Sequence, residues 1–556
     1  MILTREKSEK YFFYFLIAIT IVNLVQSCFM EITEDEAYYF QYAKDLDWGY
    51  YDHPPMVALL IKISQLFFSG NLGIRLFSVL LFSGNLLLVW KFLLPENKHH
   101  FLKEFIFLSL GLIMFNAYAF IMTPDVPLLF FTTVFFIMYK NFLTKENYYH
   151  AILLGISVAL MMYSKYHSVL LVFFVILSNL KILKKPSIFL AGMAAAILLI
   201  PHLLWHVKYD FPSFQYHLSD RSGAFKMKYF LEYIPNQFLI LNPFILIPFV
   251  LILFKNKFRE PLEKAYFLIS SGFLIFFALT SLRGHVEPHW TVIISIPLLL
   301  IFFKKTTEEL RWRKYVHRYV LGSLLLVFIA RILILLPIFS DTFKFSGKEE
   351  KYVALQKKIG NVPVIFTGSF QPPSLYNYFT GNEATTLGSL NVRKTQYDIW
   401  QREQDYFGKK VFVEKKDTRK SVDVVAEEDY CFTGFFLEDF QTPNRLQIDF
   451  ELNNKVLTDQ QTISIDIFNP TKNKVNFNHK EIPVAITAVF LNGKKTKHLP
   501  SKIQKLPEII KPGERYKTNI KIDLSGINPG EYFFGITTTC ILGNAHNSPF
   551  VKVKVR

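Results

Sequence analysis

The sequence predicts a polytopic α-helical membrane protein whose C-terminal part lies outside the membrane, on the face opposite the cytoplasm, as an α/β module followed by a β-sandwich. Three observations carry this reading. About eleven apolar runs precede residue 341, the connections between them alternate in charge, and after residue 342 apolar runs give way to short alternating strands. With 51% of its 556 residues hydrophobic, 17% aromatic and a net charge of +17, the chain is too apolar for a soluble domain and too rich in Phe for a disordered or collagen-like one. Its three cysteines, Cys28, Cys431 and Cys540, cannot build a disulfide framework, although Cys431 and Cys540 can pair if the tail is extracytoplasmic.

The apolar runs span roughly 11–30, 71–90, 104–121, 126–143, 150–164, 167–180, 187–206, 234–254, 265–282, 291–303 and 318–338. Most approach the length that crosses a hydrocarbon core of about 30 Å as a helix. The first run has no small-residue cleavage pattern and leads into an acidic helix, so it is expected to remain as an anchor. Alternate connections, beginning with REKSEK and continuing through KFLLPENKHHFLK, KNFLTKEN, KILKKP, KNKFREPLEK and KKTTEELRWRKYVHR, are all basic. Positive charge marks the cytoplasmic side, so the N-terminus is expected inside and the tail outside, in a plasma (inner) membrane. Most of the +17 is then topological, and no nucleic-acid partner is expected.

The expected domains are a membrane domain at 1–341, an α/β module at 342–440 and a β-sandwich-like domain at 441–556. The module mixes EEKYVALQKKIG with strands such as NVPVIFTG. The last part alternates runs such as TISIDIFNP and IPVAITAVFLNG with turn signals.

The chemistry concentrates in the non-basic connections. The first packs Glu31, Glu34, Asp35, Glu36, Asp45, Asp47, Asp52 and His53 into 23 residues. Thr33 with Glu36 three residues on forms a capping-box pattern, which accounts for Glu36 as a cap but leaves Asp35 unexplained. Tyr38, Tyr39 and Tyr42 can lie at the headgroup level and aim the acidic end of the helix at a cavity. Asp125, in TPDVP, is either a cap or a site residue. Lys165 breaks the charge bias and either snorkels or binds an anion. Arg283, His285, Glu287, His289 and Trp290, in RGHVEPHW, are either an interfacial anchor or a phosphate or metal site. Pro288 excludes the helical geometry of a zinc-protease motif. The stretch 205–230 combines aromatic and basic residues and is a candidate lid.

TEDEAYYFQYAKDLDWGYYDHPPMVALLIKI resembles the first outer loop of bacterial glycosyltransferases related to the dolichyl-phosphate-mannose protein mannosyltransferases (family 39), which share the GT-C architecture with the lipid A aminoarabinose transferase. TPDVPLLFF at 123–131 and SKYHSVLL at 164–171 resemble a second and a third motif of that group. The resemblance covers about 30–340. It implies an inverting transferase that moves a sugar from a polyprenyl-phosphate carrier to an acceptor hydroxyl on protein, lipid A or glycan, on the extracytoplasmic side and among membrane lipids. Asp35 matches the catalytic acid, with Glu36 its ambiguous neighbour. His53 stands near where the aminoarabinose transferase group has a lysine. His53, Asp125, Lys165, Arg283 and His285 are the expected donor-phosphate or substrate-binding residues. A departing phosphate calls for positive charge or a divalent metal ion, for which Asp52, His53, Asp125 and Glu287 are the candidate ligands. The competing classes are a multi-pass transporter and a lipid-linked polysaccharide ligase. Clustering of the acids in outer loops, rather than at the bilayer midplane, argues against the transporter.

Overall fold

A computed structural model describes residues 4–216, 225–335 and 347–556, apart from 392, 416–421, 428–429, 453, 493–494 and 504–506. The chain divides into two compact units, Met1–Lys348 and Glu349–Arg556.

In the first unit every apolar run expected from the sequence is largely helical. Among the described residues, seven helices are long and apolar enough to cross a membrane: Arg5–Phe29, Gly70–Leu93, Asp125–Thr144, Pro186–Lys208, Pro261–Ser281, Pro288–Glu308 and Leu310–Leu335. An eighth span results if Met227–Leu241 and Pro243–Lys255, bent 105° apart, are one. The expected count of eleven is therefore not reached by length. Tyr148–Ser164 and Ser168–Ser178 are short, and the run at 104–121 breaks into Leu102–Gly111 and Ile113–Ala117. The two breaks meet: Asn242, with φ of 68° ahead of Pro243, donates from Nδ2 to Gly111 O at 2.9 Å and to Ser323 Oγ at 2.8 Å. Irregular backbone at membrane depth survives only where such partners satisfy it.

Two features position the candidate residues of the first and third motifs. Gly155 lets Tyr148–Ser164 lie against Pro186–Lys208, because a Cβ there would collide with the Ala191 carbonyl. This close approach fixes the helix end that carries Lys165. The acidic first connection forms the helix Glu34–Lys44, started by a complete capping box between Thr33 and Glu36. Of the candidate lid at 205–230, residues 217–224 lie outside the described residues.

In the second unit, strands 364–366, 384–386 and 411–414 pair in parallel, with helix Lys348–Ile359 before the first and helix Gln371–Thr380 between the first and the second. Antiparallel strands 430–437 and 422–427 complete a five-stranded sheet. Further on, nine strands close over one core. The strand Lys495–Ile503 pairs with 485–492 through its first half and with 515–523 through its second. Alternate residues Ile463, Ile465 and Ile467 meet Ile486, Phe490, Phe534 and Ile536 inside it, as a sandwich requires. Both expected parts of the tail lie in this unit, and Phe440, at their junction, packs with Ile365, Leu387, Ile482 and Leu542. Cys540 is a free thiol, and the Cys431 side chain of the conditional pair lies outside the described residues.

Candidate active site

The two neighbouring acids of the first connection have opposite surroundings. Glu36 is fully buried, and its carboxylate accepts from Thr33 N at 2.8 Å, from Arg75 Nε and Nη2 at 2.6 Å each, and from Met122 N at 2.9 Å. Four donors occupy its lone pairs, so no acceptor site remains for a substrate hydroxyl. Arg75, also fully buried, donates in addition to the carbonyls of Ser27, Met30 and Glu31. The Glu36–Arg75 pair ties the first connection to the span Gly70–Leu93, through Ser27 to Arg5–Phe29, and through Met122 to the start of the TPDVP segment. Glu36 is thereby a scaffold residue, and its candidacy as a base is corrected.

Asp35 has no hydrogen-bond or ion-pair partner among the described residues. Its side chain is open to solvent, yet protein surrounds it closely enough to hold its pKa up, from 3.8 to about 6. Desolvation is the larger cause. The negative charges of Asp52, Glu34, Glu287 and Glu36 add to it.

The tyrosines turn inward rather than toward lipid headgroups, which corrects that expectation. Tyr38, Tyr39 and Tyr42 are buried. The Tyr42 hydroxyl donates to Asp52 at 2.5 Å, its ring stacks on Tyr50 at 4.0 Å, and the Tyr39 hydroxyl lies 3.2 Å from His53 Nε2. With the aromatic bodies packed inside, the Tyr42 and Tyr39 hydroxyls hold Asp52 and His53, and the Asp52 charge acts on Asp35.

The second and third motifs meet directly. Asp125 occupies the first turn of Asp125–Thr144 but caps nothing; both its oxygens accept from Lys165 Nζ, at 2.8 and 2.7 Å, and both residues are buried. Lys165 is thus neither snorkelling nor a free cation. The Tyr118 hydroxyl lies 3.4 Å from Asp125, and His289 Nε2 lies 3.9 Å from it. His289 brings in the RGHVEPHW segment, of which Glu287 acts on Asp35 through its charge. The half-buried Trp290 packs on His167 at 4.8 Å and Phe277 at 5.4 Å. Arg283 and His285 are exposed, and His285 stands 3.7 Å from Glu287. They lie at the rim, without contact to Asp125 or Lys165.

Asp52, His53, Asp125 and Glu287 do not converge as metal ligands: among the described residues no three His, Cys, Asp or Glu side chains are placed to hold an ion. Asp52, His53 and Asp125 each already have a protein partner. A metal does not fit this arrangement.

Sequence reasoning missed Arg75 and the pair His202 and His206. The two histidines, four apart on one helix face, approach to 3.2 Å; His202 Nδ1 is 2.6 Å from Trp48 O, and His206 Nε2 is 3.1 Å from the Tyr166 hydroxyl. They tie the helix Pro186–Lys208 to the first connection and to the residue beside Lys165. An arginine inside an apolar run was the available signal for Arg75, since such a charge in a membrane span needs a partner.

Comparison with known proteins agrees with this assembly. Residues 52–205 match the family model for dolichyl-phosphate-mannose-protein mannosyltransferase. A lipid A galacturonosyltransferase, RgtD of Rhizobium johnstonii, is 26% identical over 229 residues, which are 38% of this chain and 46% of that protein. The chain thus matches less than half of that relative's length. Among solved structures, ArnT from Cupriavidus metallidurans bound to undecaprenyl phosphate superposes with a TM-score of 0.51 at 12% identity, over 72% of this chain and 92% of that one. The apo form of the same protein gives 0.50 at 11% identity. At that identity the likeness is one of fold. The stretch holding Asp52, Asp125 and Lys165 therefore carries the sequence pattern of the mannosyltransferase family, on the GT-C fold that the first-loop motif led us to expect.

Proposed function

We propose that this protein is an inverting glycosyltransferase that takes a sugar from a polyprenyl-phosphate carrier and attaches it to an acceptor hydroxyl on the extracytoplasmic face of the inner membrane. The observation that carries the proposal is Asp35: an unpartnered carboxylate with a pKa raised to about 6, whose charge acts on Tyr39 and Tyr118 together with that of the Lys165-paired Asp125, in a chain whose residues 52–205 match the mannosyltransferase family. A base poised just below neutrality is ionised at working pH and still strong enough to take a hydroxyl proton in the transition state.

In the proposed step Asp35 accepts the acceptor's proton as its oxygen forms the new bond to the anomeric carbon. The bond from that carbon to the carrier's phosphate oxygen breaks, and its electron pair leaves with polyprenyl phosphate. Attack opposite the leaving group inverts the anomeric configuration. In this reading His289 and His53, whose charges act on one another, take up the phosphate's growing charge, with Lys165 held ready in its pair with Asp125. No metal is assigned a role.

The alternating basic connections support an N-terminus in the cytoplasm and a tail outside. The RgtD relative favours lipid A as acceptor, and the ArnT neighbour favours undecaprenyl phosphate as carrier. A transporter reading finds no support in these comparisons. The test is the pool of lipid-linked sugars in cells lacking the protein. A polyprenyl-phosphate sugar should accumulate and disappear on complementation, whereas an unchanged pool contradicts the proposal.

A further inference from the structure

Away from the acid cluster, one groove in the membrane unit has a charge that the transfer reading does not use. The two facing helix breaks, at Leu112 and Asn242, and one face of the last span enclose a cavity of about 220 Å³, apolar except for Asn116, Asn242, Ser323 and Arg331. Ser323 and Arg331 lie eight residues apart on that face, about 12 Å along the helix at 1.5 Å per residue. Between them the wall is aliphatic, with Leu326, Val327 and Ala330.

Arg331 stands at one end. Its Nε donates to Gln26 Oε1 at 2.7 Å, its Nη2 donates to Asn23 Oδ1 at 2.6 Å, and the Phe120 ring lies 4.7 Å away. All of these partners are neutral. Among the described residues no carboxylate is within ion-pair distance of this guanidinium, whereas the buried Arg75 has Glu36. Beside Arg331, the fully buried Asn23 keeps an Nδ2 donor with no partner. An arginine in a membrane span without a counter-charge, at the mouth of an apolar slot, is matched by an anion that carries a hydrocarbon chain.

We infer that this groove holds one anionic glycerophospholipid, its phosphate on Arg331 and an acyl chain along Ser323–Arg331. The bound lipid is not the reacting sugar carrier, because Arg331 holds Gln26 and Asn23 and touches none of Asp35, Asp125, Lys165 or His289. Its effect is mechanical. Phe120, which stacks on Arg331, is two residues from Met122, whose N–H holds Glu36, and five from Asp125. Filling the groove braces the second connection and, through it, the catalytic loop.

The test is native mass spectrometry of the full-length protein purified in mild detergent, together with thermal unfolding after adding dioleoylphosphatidylglycerol, dioleoylphosphatidylcholine or undecaprenyl phosphate. The wild type should retain one anionic phospholipid and be stabilised by phosphatidylglycerol alone. Arg331→Gln should weaken that retention about tenfold, the loss of a charge-assisted contact. Ala330→Phe, which fills the slot and leaves the arginine, should abolish it. Failure of the wild type to retain or respond to phosphatidylglycerol overturns the inference, with no variant needed. So does equal stabilisation by phosphatidylcholine, preference for undecaprenyl phosphate, or unchanged retention by Ala330→Phe.

Discussion

Asp35→Asn should separate catalysis from stability in opposite directions. The carboxyl's pKa is raised from 3.8 to about 6, which unscreened corresponds to roughly 3 kcal/mol against the folded state at neutral pH. The side chain is solvent-accessible, so screening reduces this to about 1 kcal/mol. For a carboxyl raised on folding, the favourable contribution is complete below pH 3.8 and is lost as pH rises through about 6. Asparagine removes the repulsion with Asp52, Glu34 and Glu287 while keeping the shape. Transfer should therefore fall by about 10² or more, while the thermal midpoint in detergent rises slightly at pH 7.5 and is unchanged near pH 4. The assay pairs sugar transfer from a polyprenyl-phosphate donor with a thermal melt at both pH values. Near wild-type turnover would remove Asp35 from the mechanism. A large fall in midpoint would mean that Asp35 is structural and that the unpartnered carboxylate has been misread.

The remaining expectations follow from the same contacts. Glu36→Gln leaves Arg75 buried without its counter-charge, at a cost of about 3–5 kcal/mol, so its yield and midpoint should collapse together in size-exclusion and melting assays. Lys165→Met should fail similarly because Asp125 is left unpaired; adding Asp125→Asn should restore folded protein, measured by yield, but not transfer. Wild-type kcat/KM should fall about tenfold between pH 7 and 5 as Asp35 protonates, and Glu287→Gln should move that acid limb to lower pH. Cysteines placed at Asn147 and Gly347 should show opposite accessibility to a membrane-impermeant thiol reagent in intact cells, and equal accessibility would reject the proposed topology.

The parts legible in the sequence are those in which local pattern and tertiary structure coincide. T-x-x-E announced the capping box of Glu34–Lys44, and hydropathy located the long apolar helices of the first unit. Hydropathy could not show that 104–121 breaks at Leu112, that 234–254 bends at Asn242, or that Ser168–Ser178 is too short to span, because a broken run and a straight one have the same composition. Asp125 and Lys165 stood out singly as charges at apolar boundaries, but their pairing across 40 residues is a property of the fold. The inward turn of Tyr38, Tyr39 and Tyr42 was equally hidden, since an interfacial tyrosine and a buried one with a bonded hydroxyl look alike in sequence. Glu36 showed its cap role locally and its larger role, holding Arg75 and Met122, only in three dimensions.

The central claim, sugar transfer from a polyprenyl phosphate with Asp35 as base, is tested most directly by supplying the purified protein with a polyprenyl-phosphate sugar and an acceptor and determining the anomeric configuration of the product by NMR. The expected result is product of inverted configuration, formed together with an equal amount of polyprenyl phosphate and lost with Asp35→Asn. Retained configuration, or transfer that survives Asp35→Asn, would contradict it.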